Sequence, residues 1–123
     1  PAPGYAPARY YLGRELGAAG RFDDAIDALQ SFIRDEPRAP VVPLAHGLIA
    51  DALVRQKRDS EAIPHFREWL NADPVNAQGW TMLGRSVLTI RQPGGAADAF
   101  RRAVQIDPNY APAREGLRAL GIR

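Results

Sequence analysis

Three marker residues recur through this chain at fixed intervals, and that recurrence limits what it can fold into more than any other feature. Ala25, Leu29 and Pro37 return 37 residues later as Ala62, Phe66 and Pro74. After a further 34 they return again as Ala96, Phe100 and Pro108. Leu12-Gly13, Ile49-Ala50 and Leu83-Gly84 move by the same two steps. A period of this size means one supersecondary unit repeated. Such a unit cannot bury its apolar face alone, so neighbouring copies must stack into an array rather than close around a catalytic cleft.

Within each period the apolar residues follow helical spacing. Leu12 and Leu16 sit one turn apart and predict a first helix over 7–19, closed by Gly20. Asp23 and Asp24 suit the positive end of the next helix. Ala25, Ile26, Leu29, Phe32 and Ile33 form its apolar stripe, and Pro37 stops it. Residues 38–42 hold the three extra residues of the longer step, kept stiff by Pro40 and Pro43. Pro43 suits the first turn of a third helix running to Gln56. Asp59-Ser60 offers a cap for a fourth reaching Ala72, with Ser60 as the capping residue, and Pro64 predicts a slightly disturbed start there. A fifth helix over 77–90, a Pro93-Gly94-Gly95 turn and a sixth helix ending at Ile106 follow. A more polar helix over 111–120 begins in the register of a fourth unit and covers the last apolar face. The expectation is seven helices, no strand, a Pro/Gly-rich linker over 1–5, units over 6–39, 43–76 and 77–110, and a capping helix.

These markers resemble the tetratricopeptide repeat. The third unit carries the resemblance furthest, through Trp80, Leu83, Gly84, Ala96, Phe100, Ala103 and Pro108. The first departs with Phe32, and the second with Trp69, where the family has a small residue. The second also has His46 for the bulky residue and Ala50 for glycine. The resemblance covers about residues 6–120 and implies an all-α fold, a right-handed α-α superhelix of three helix-turn-helix units plus the capping helix. Its packing face would hold Leu12, Gly13 and Leu16, then His46, Ile49, Ala50 and Leu53, then Trp80, Leu83, Gly84 and Val87.

The family resemblance also implies a concave groove lined by the opposite stripe of each first helix. That stripe holds Pro7, Tyr10, Tyr11, Arg14, Gly17 and Ala18, then Leu44, Gly47, Leu48, Asp51, Val54 and Arg55, then Gln78, Thr81, Met82, Arg85, Leu88 and Thr89. The candidate peptide-binding residues are Tyr10, Arg14, Leu48, Asp51, Arg55, Gln78, Thr81, Met82 and Arg85. Apolar side chains of an extended peptide would lie near Tyr10, Leu48 and Met82, with the arginines meeting its carboxylates or carbonyls. Some relatives grip the free carboxylate of a chaperone tail. The clamp positions fall here on Tyr10, Arg14, Leu48, Gln78 and Met82, and only Arg14 is charged, which argues against that ligand.

Other chemistries find no support. There is no cysteine, and the isolated His46 and His65 lack a companion acid motif, so neither a metal nor a cofactor site is expected. Asp23-Asp24 reads as a helix first turn, and Gly94-Gly95 lacks the strand and lysine of a phosphate loop. Trp69 and Trp80 read as packing groups. No nucleophile-base set is present, so no catalytic residue is assigned. A net charge of +2 and one lysine, Lys57, give no footprint for nucleic acid. The apolar stretches are too short to span a bilayer, which predicts a soluble chain with no assigned compartment. Arginine, alanine and proline richness fits a GC-rich bacterial genome. The reading is a non-catalytic interaction scaffold for a protein or peptide partner. The start at Pro1 and the Pro-rich lead-in carry the alternative, an accessory domain of a larger enzyme. Self-association is a third expectation.

Overall fold

The computed structural model describes residues 6–122. Seven helices account for most of them: α1 (Ala6–Ala18), α2 (Phe22–Asp35), α3 (Val42–Arg55), α4 (Asp59–Ala72), α5 (Ala77–Thr89), α6 (Pro93–Ile106) and α7 (Ala111–Ala119). No strand occurs among the described residues. The expected linker, residues 1–5, lies outside them.

The helices pack in chain order as hairpins α1–α2, α3–α4 and α5–α6. The second helix of each hairpin also lies against the next odd-numbered helix, and α7 packs on both α6 and α5. Periodicity explains this solenoid. Each even-numbered helix has a narrow apolar stripe, and α3 and α5 are apolar enough to be covered on two sides. Phe32, Phe66 and Phe100 are the largest fully buried side chains, each at most 1% exposed. Burial of each contributes about 1.5–3 kcal/mol.

Close backbone approach is built in around Phe100. A Cβ placed on Gly84 would sit 2.7 Å from its Cε1, and one on Gly116 would sit 2.7 Å from its Cε2. Glycine at these two positions lets α5 and α7 close on the ring from either side.

Four odd-numbered helices end alike. The amides of Arg21, Arg58, Gln92 and Ile122 donate to the carbonyls of Leu16, Leu53, Val87 and Leu117, at 2.8–3.1 Å. This six-to-one bond requires a left-handed residue just before its donor. Gly20 (φ 81°) and Gly121 (φ 77°) supply it without strain, whereas Lys57 (φ 61°) and Arg91 (φ 67°) carry a Cβ there.

Several expectations are corrected. The Pro93-Gly94-Gly95 segment is the first turn of α6, because Pro93 presets a helical φ and the chain has already reversed at Arg91-Gln92. Ser60 does not cap α4: Arg58 occupies that place and makes no side-chain cap, so Asp59 and Ser60 fall inside the first turn. Asn76 does cap α5, accepting from the Gly79 amide at 2.9 Å. The helix α4 runs through Pro64 from Asp59 to Ala72, with Pro64 exposed. Leu12, assigned to the packing face, is 53% exposed, since no helix lies against that side of α1 among the described residues.

Candidate binding groove

In the first two units a residue on the first helix is matched in size to one on the second. Tyr10 meets Phe32, with ring centroids 6.1 Å apart. In the second unit the large partner is Trp69, and it requires a facing residue without a side chain. A Cβ on Gly47 would lie 2.8 Å from Cδ2 of its indole. The indole therefore lies against the backbone of α3, partly exposed.

A concavity of about 340 Å³ opens over that indole. Tyr10 closes one side; Leu44, Gly47 and Leu48 of α3 and Met82 of α5 supply apolar wall. Gln78, Asp51 and Arg55 supply polar rim. Asp51 accepts from Arg55 Nε at 3.1 Å, an i,i+4 pair on α3 that remains partly exposed. Leu48, Asp51 and Arg55 also line a second concavity of about 260 Å³ between α1 and α3, together with Arg14, Gly17 and Ala18. The two concavities share these three residues of α3 as a common wall.

Six of the nine residues singled out from the sequence, Tyr10, Leu48, Asp51, Arg55, Gln78 and Met82, thus line one pocket. Arg14 lines the adjoining one, with its guanidinium 4.7 Å from the Tyr11 ring centre and 3.8 Å from Glu15. Arg85 is exposed and makes no ion pair among the described residues, but it lines neither concavity. Two corrections follow. Tyr10 is buried against Phe32 and offers only part of its ring to the groove. Thr81 is 1% exposed, with its hydroxyl donating to the Ala77 carbonyl at 2.9 Å, so it is a packing group.

Trp69 is the groove residue that sequence reading assigned to packing. The signal was present as a pair, a tryptophan where the third unit has Ala103 and a glycine where the first unit has Tyr10. Trp80 does pack: its Nε1 donates to the Pro74 carbonyl at 2.9 Å and Arg102 lies 4.9 Å from the ring centre. A larger concavity of about 720 Å³ surrounds it, lined from α4, α5 and α6. Its aromatic floor is already occupied by Arg102, which leaves the first-helix groove as the better candidate.

His46 and His65 are not isolated. They meet across the α3–α4 hairpin with their Nδ1 atoms 2.9 Å apart, one donating and the other accepting. Burial lowers both from the ordinary histidine value; the charge of His46 lowers His65 further, while Glu68 pulls both upward. No group of three or more His, Cys, Asp or Glu side chains that could hold a metal occurs among the described residues. No helix among them is long and apolar enough to cross a membrane.

A tetratricopeptide repeat model matches residues 10–77 and 70–111, most of the chain. Over 115 residues the chain is 33% identical to an L-seryl-tRNA(Sec) selenium transferase of Solidesulfovibrio magneticus, a match covering 87% of this chain and 24% of that protein. Over 67 residues it is 28% identical to Superkiller complex protein 3 of Mus musculus, covering 54% of this chain and 4% of that one. The chain thus spans less than a quarter of the length of these curated relatives. Among solved structures, the second TPR domain of human RPAP3 in complex with an HSP70 peptide, SGPTIEEVD, superposes with a TM-score of 0.85 at 15% identity, covering 96% of both chains. The first TPR of Spaghetti (RPAP3), bound to the HSP90 peptide SRMEEVD, gives 0.85 at 19% identity over 94% of this chain and 90% of that one. The Sgt2 TPR domain of Aspergillus fumigatus gives 0.79 at 20% identity, over 97% and 78%. At these identities the likeness is one of fold.

Proposed function

The chain belongs to the tetratricopeptide repeat family, and from that premise we propose that it is a non-catalytic protein-interaction scaffold holding an extended partner segment in the groove across α1, α3 and α5. One observation carries this reading: the Trp69-floored pocket and its continuation past Asp51 and Arg55 toward Arg14. A bulky apolar side chain fits against the indole and Met82. Arg14 and Arg55, with Arg85 beyond them, outnumber the single Asp51 and favour carboxylates alongside that anchor.

Two of the similar structures hold short acidic peptides, which supports a groove that takes extended segments. This chain departs from a carboxylate clamp, with Tyr10 buried and with Leu48, Gln78 and Met82 at the other clamp positions. An internal acidic-apolar segment suits it better than a chaperone tail.

The test is selection of peptides from a random display library on the wild-type chain, followed by affinity measurement. The recovered peptides carry a large apolar residue near acidic ones, and a folded Arg14→Glu, Arg85→Glu double variant loses about tenfold or more in affinity. Equal binding by that variant removes the arginines from the mechanism.

A further inference from the structure

In the second and third units, one face of the first helix is sealed by the second helix of the unit before it. The helix α3 packs on α2 and α5 packs on α4, and Ala45, Ile49 and Ala52 of α3 share their register with Gly79, Leu83 and Ser86 of α5. All six are buried, none of the side-chain-bearing ones more than 7% exposed. The fit is close: a Cβ on Gly79 would be 2.9 Å from Cδ2 of Leu70 on α4. The same register on α1 is Ala8, Leu12 and Glu15, and all three are exposed.

The sequence around this bare face contains a second, independent sign. Pro108, Tyr110, Ala111, Pro112, Ala113 and Arg114 run from the turn after α6 into the first turn of α7. The residues Pro3, Tyr5, Ala6, Pro7, Ala8 and Arg9 repeat them at an interval of three whole units, with only Gly4 and Asn109 differing between. In the later copy the motif follows a second helix, and Ala113 beneath it is 0% exposed, with Leu117 at 8%. In the earlier copy the equivalent Ala8 and Leu12 stand open.

We infer that this face of α1 is a docking surface for the second helix of a further helical hairpin of the same kind, stacked ahead of α1 as α2 is stacked ahead of α3. The occupant is an amphipathic helix. It sets an aliphatic side chain over Ala8, as Leu70 sits over Gly79, and apolar side chains over Leu12. It brings a basic group toward Glu15, whose carboxylate is largely exposed and whose nearest cation is Arg14 at 3.8 Å. The inference is separate from the groove reading, since Ala8, Leu12 and Glu15 line neither concavity of the groove.

The experiment adds the occupant to the complete chain. A copy of residues 77–107 is joined in front of Pro3, so that the Pro-x-Tyr-Ala-Pro-Ala-Arg join is retained, and urea unfolding is followed with amide hydrogen exchange. The expected result is one transition with a higher midpoint than the 123-residue chain and at least about tenfold slower exchange in α1, as for a helix moved from an end to an interior. Leu12→Glu cancels that gain in the extended protein and leaves the midpoint of the unextended chain nearly unchanged. Two independent transitions, or unaltered α1 exchange, overturn the proposal. So does a concentration-dependent mass of the unextended chain that Leu12→Glu abolishes, because the occupant is then a second copy.

Discussion

At position 47 the absence of a side chain is what seats Trp69. The indole lies where a Cβ would be 2.8 Å from it, so one methyl group is enough to displace the floor of the groove. Gly47→Ala is expected to cost about 1–3 kcal/mol through overpacking. It also shifts the emission of Trp69, read in a Trp80→Phe background, and weakens the peptides selected on the wild type. A variant with unchanged emission and affinity shows that the indole is not part of the site. A second residue-scale prediction concerns Lys57 and Arg91, held at φ 61° and 67° by the six-to-one bonds of their helix ends. Side chains are strained in this region and glycine is not, although glycine gives up more backbone entropy on folding. Lys57→Gly and Arg91→Gly are each expected to raise unfolding stability by roughly 0.5–1 kcal/mol, measured by urea titration. Gly20 shows that the array already uses glycine at the equivalent turn.

At the scale of elements, the α3–α4 hairpin contains a contact between two titratable rings, both lowered from the ordinary histidine value. His46 and His65 share a single hydrogen bond between Nδ1 atoms, which requires one donor and one acceptor. A proton on both rings sets two donors face to face. Burial, and for His65 the charge of His46, lowers both folded-state pKa values below those of the unfolded chain, against the upward pull of Glu68. The native state therefore binds fewer protons than the unfolded state. The histidine contribution is complete above the unfolded value and is lost as pH falls from about 6.5 through the folded values. Urea midpoints measured from pH 7.5 down to 5 are expected to decline, and His65→Gln is expected to flatten that slope. An unchanged slope in the variant assigns the decline to other groups. The pair was legible in the sequence only as two separate histidines, 19 residues apart, because nothing local says which faces of two helices will meet.

At the scale of the whole molecule, the units contact only their neighbours, and stability is close to a sum of unit and interface contributions. Phe66 lies at the centre of that chain of contacts and is fully buried. Phe66→Ala is expected to cost about 3–5 kcal/mol, a large share of the roughly 5–15 kcal/mol typical of a domain. Because the loss falls on the middle unit, hydrogen exchange should show α3 and α4 opening at lower urea than α6 and α7. A single transition shared by all helices instead indicates an array that unfolds as one body. The sequence by itself determined the number of units, the order of helices and the residues that had to be buried between them, since those depend on periodicity and on proline, both written locally. Only the tertiary structure decided that Tyr10 and Thr81 turn inward, that Trp69 floors the groove, that Pro93 starts a helix rather than a turn, and that Leu12 faces outward. Each of those depends on which side chain stands opposite, or on whether anything does, and that is a property of two surfaces brought together rather than of either stretch of chain.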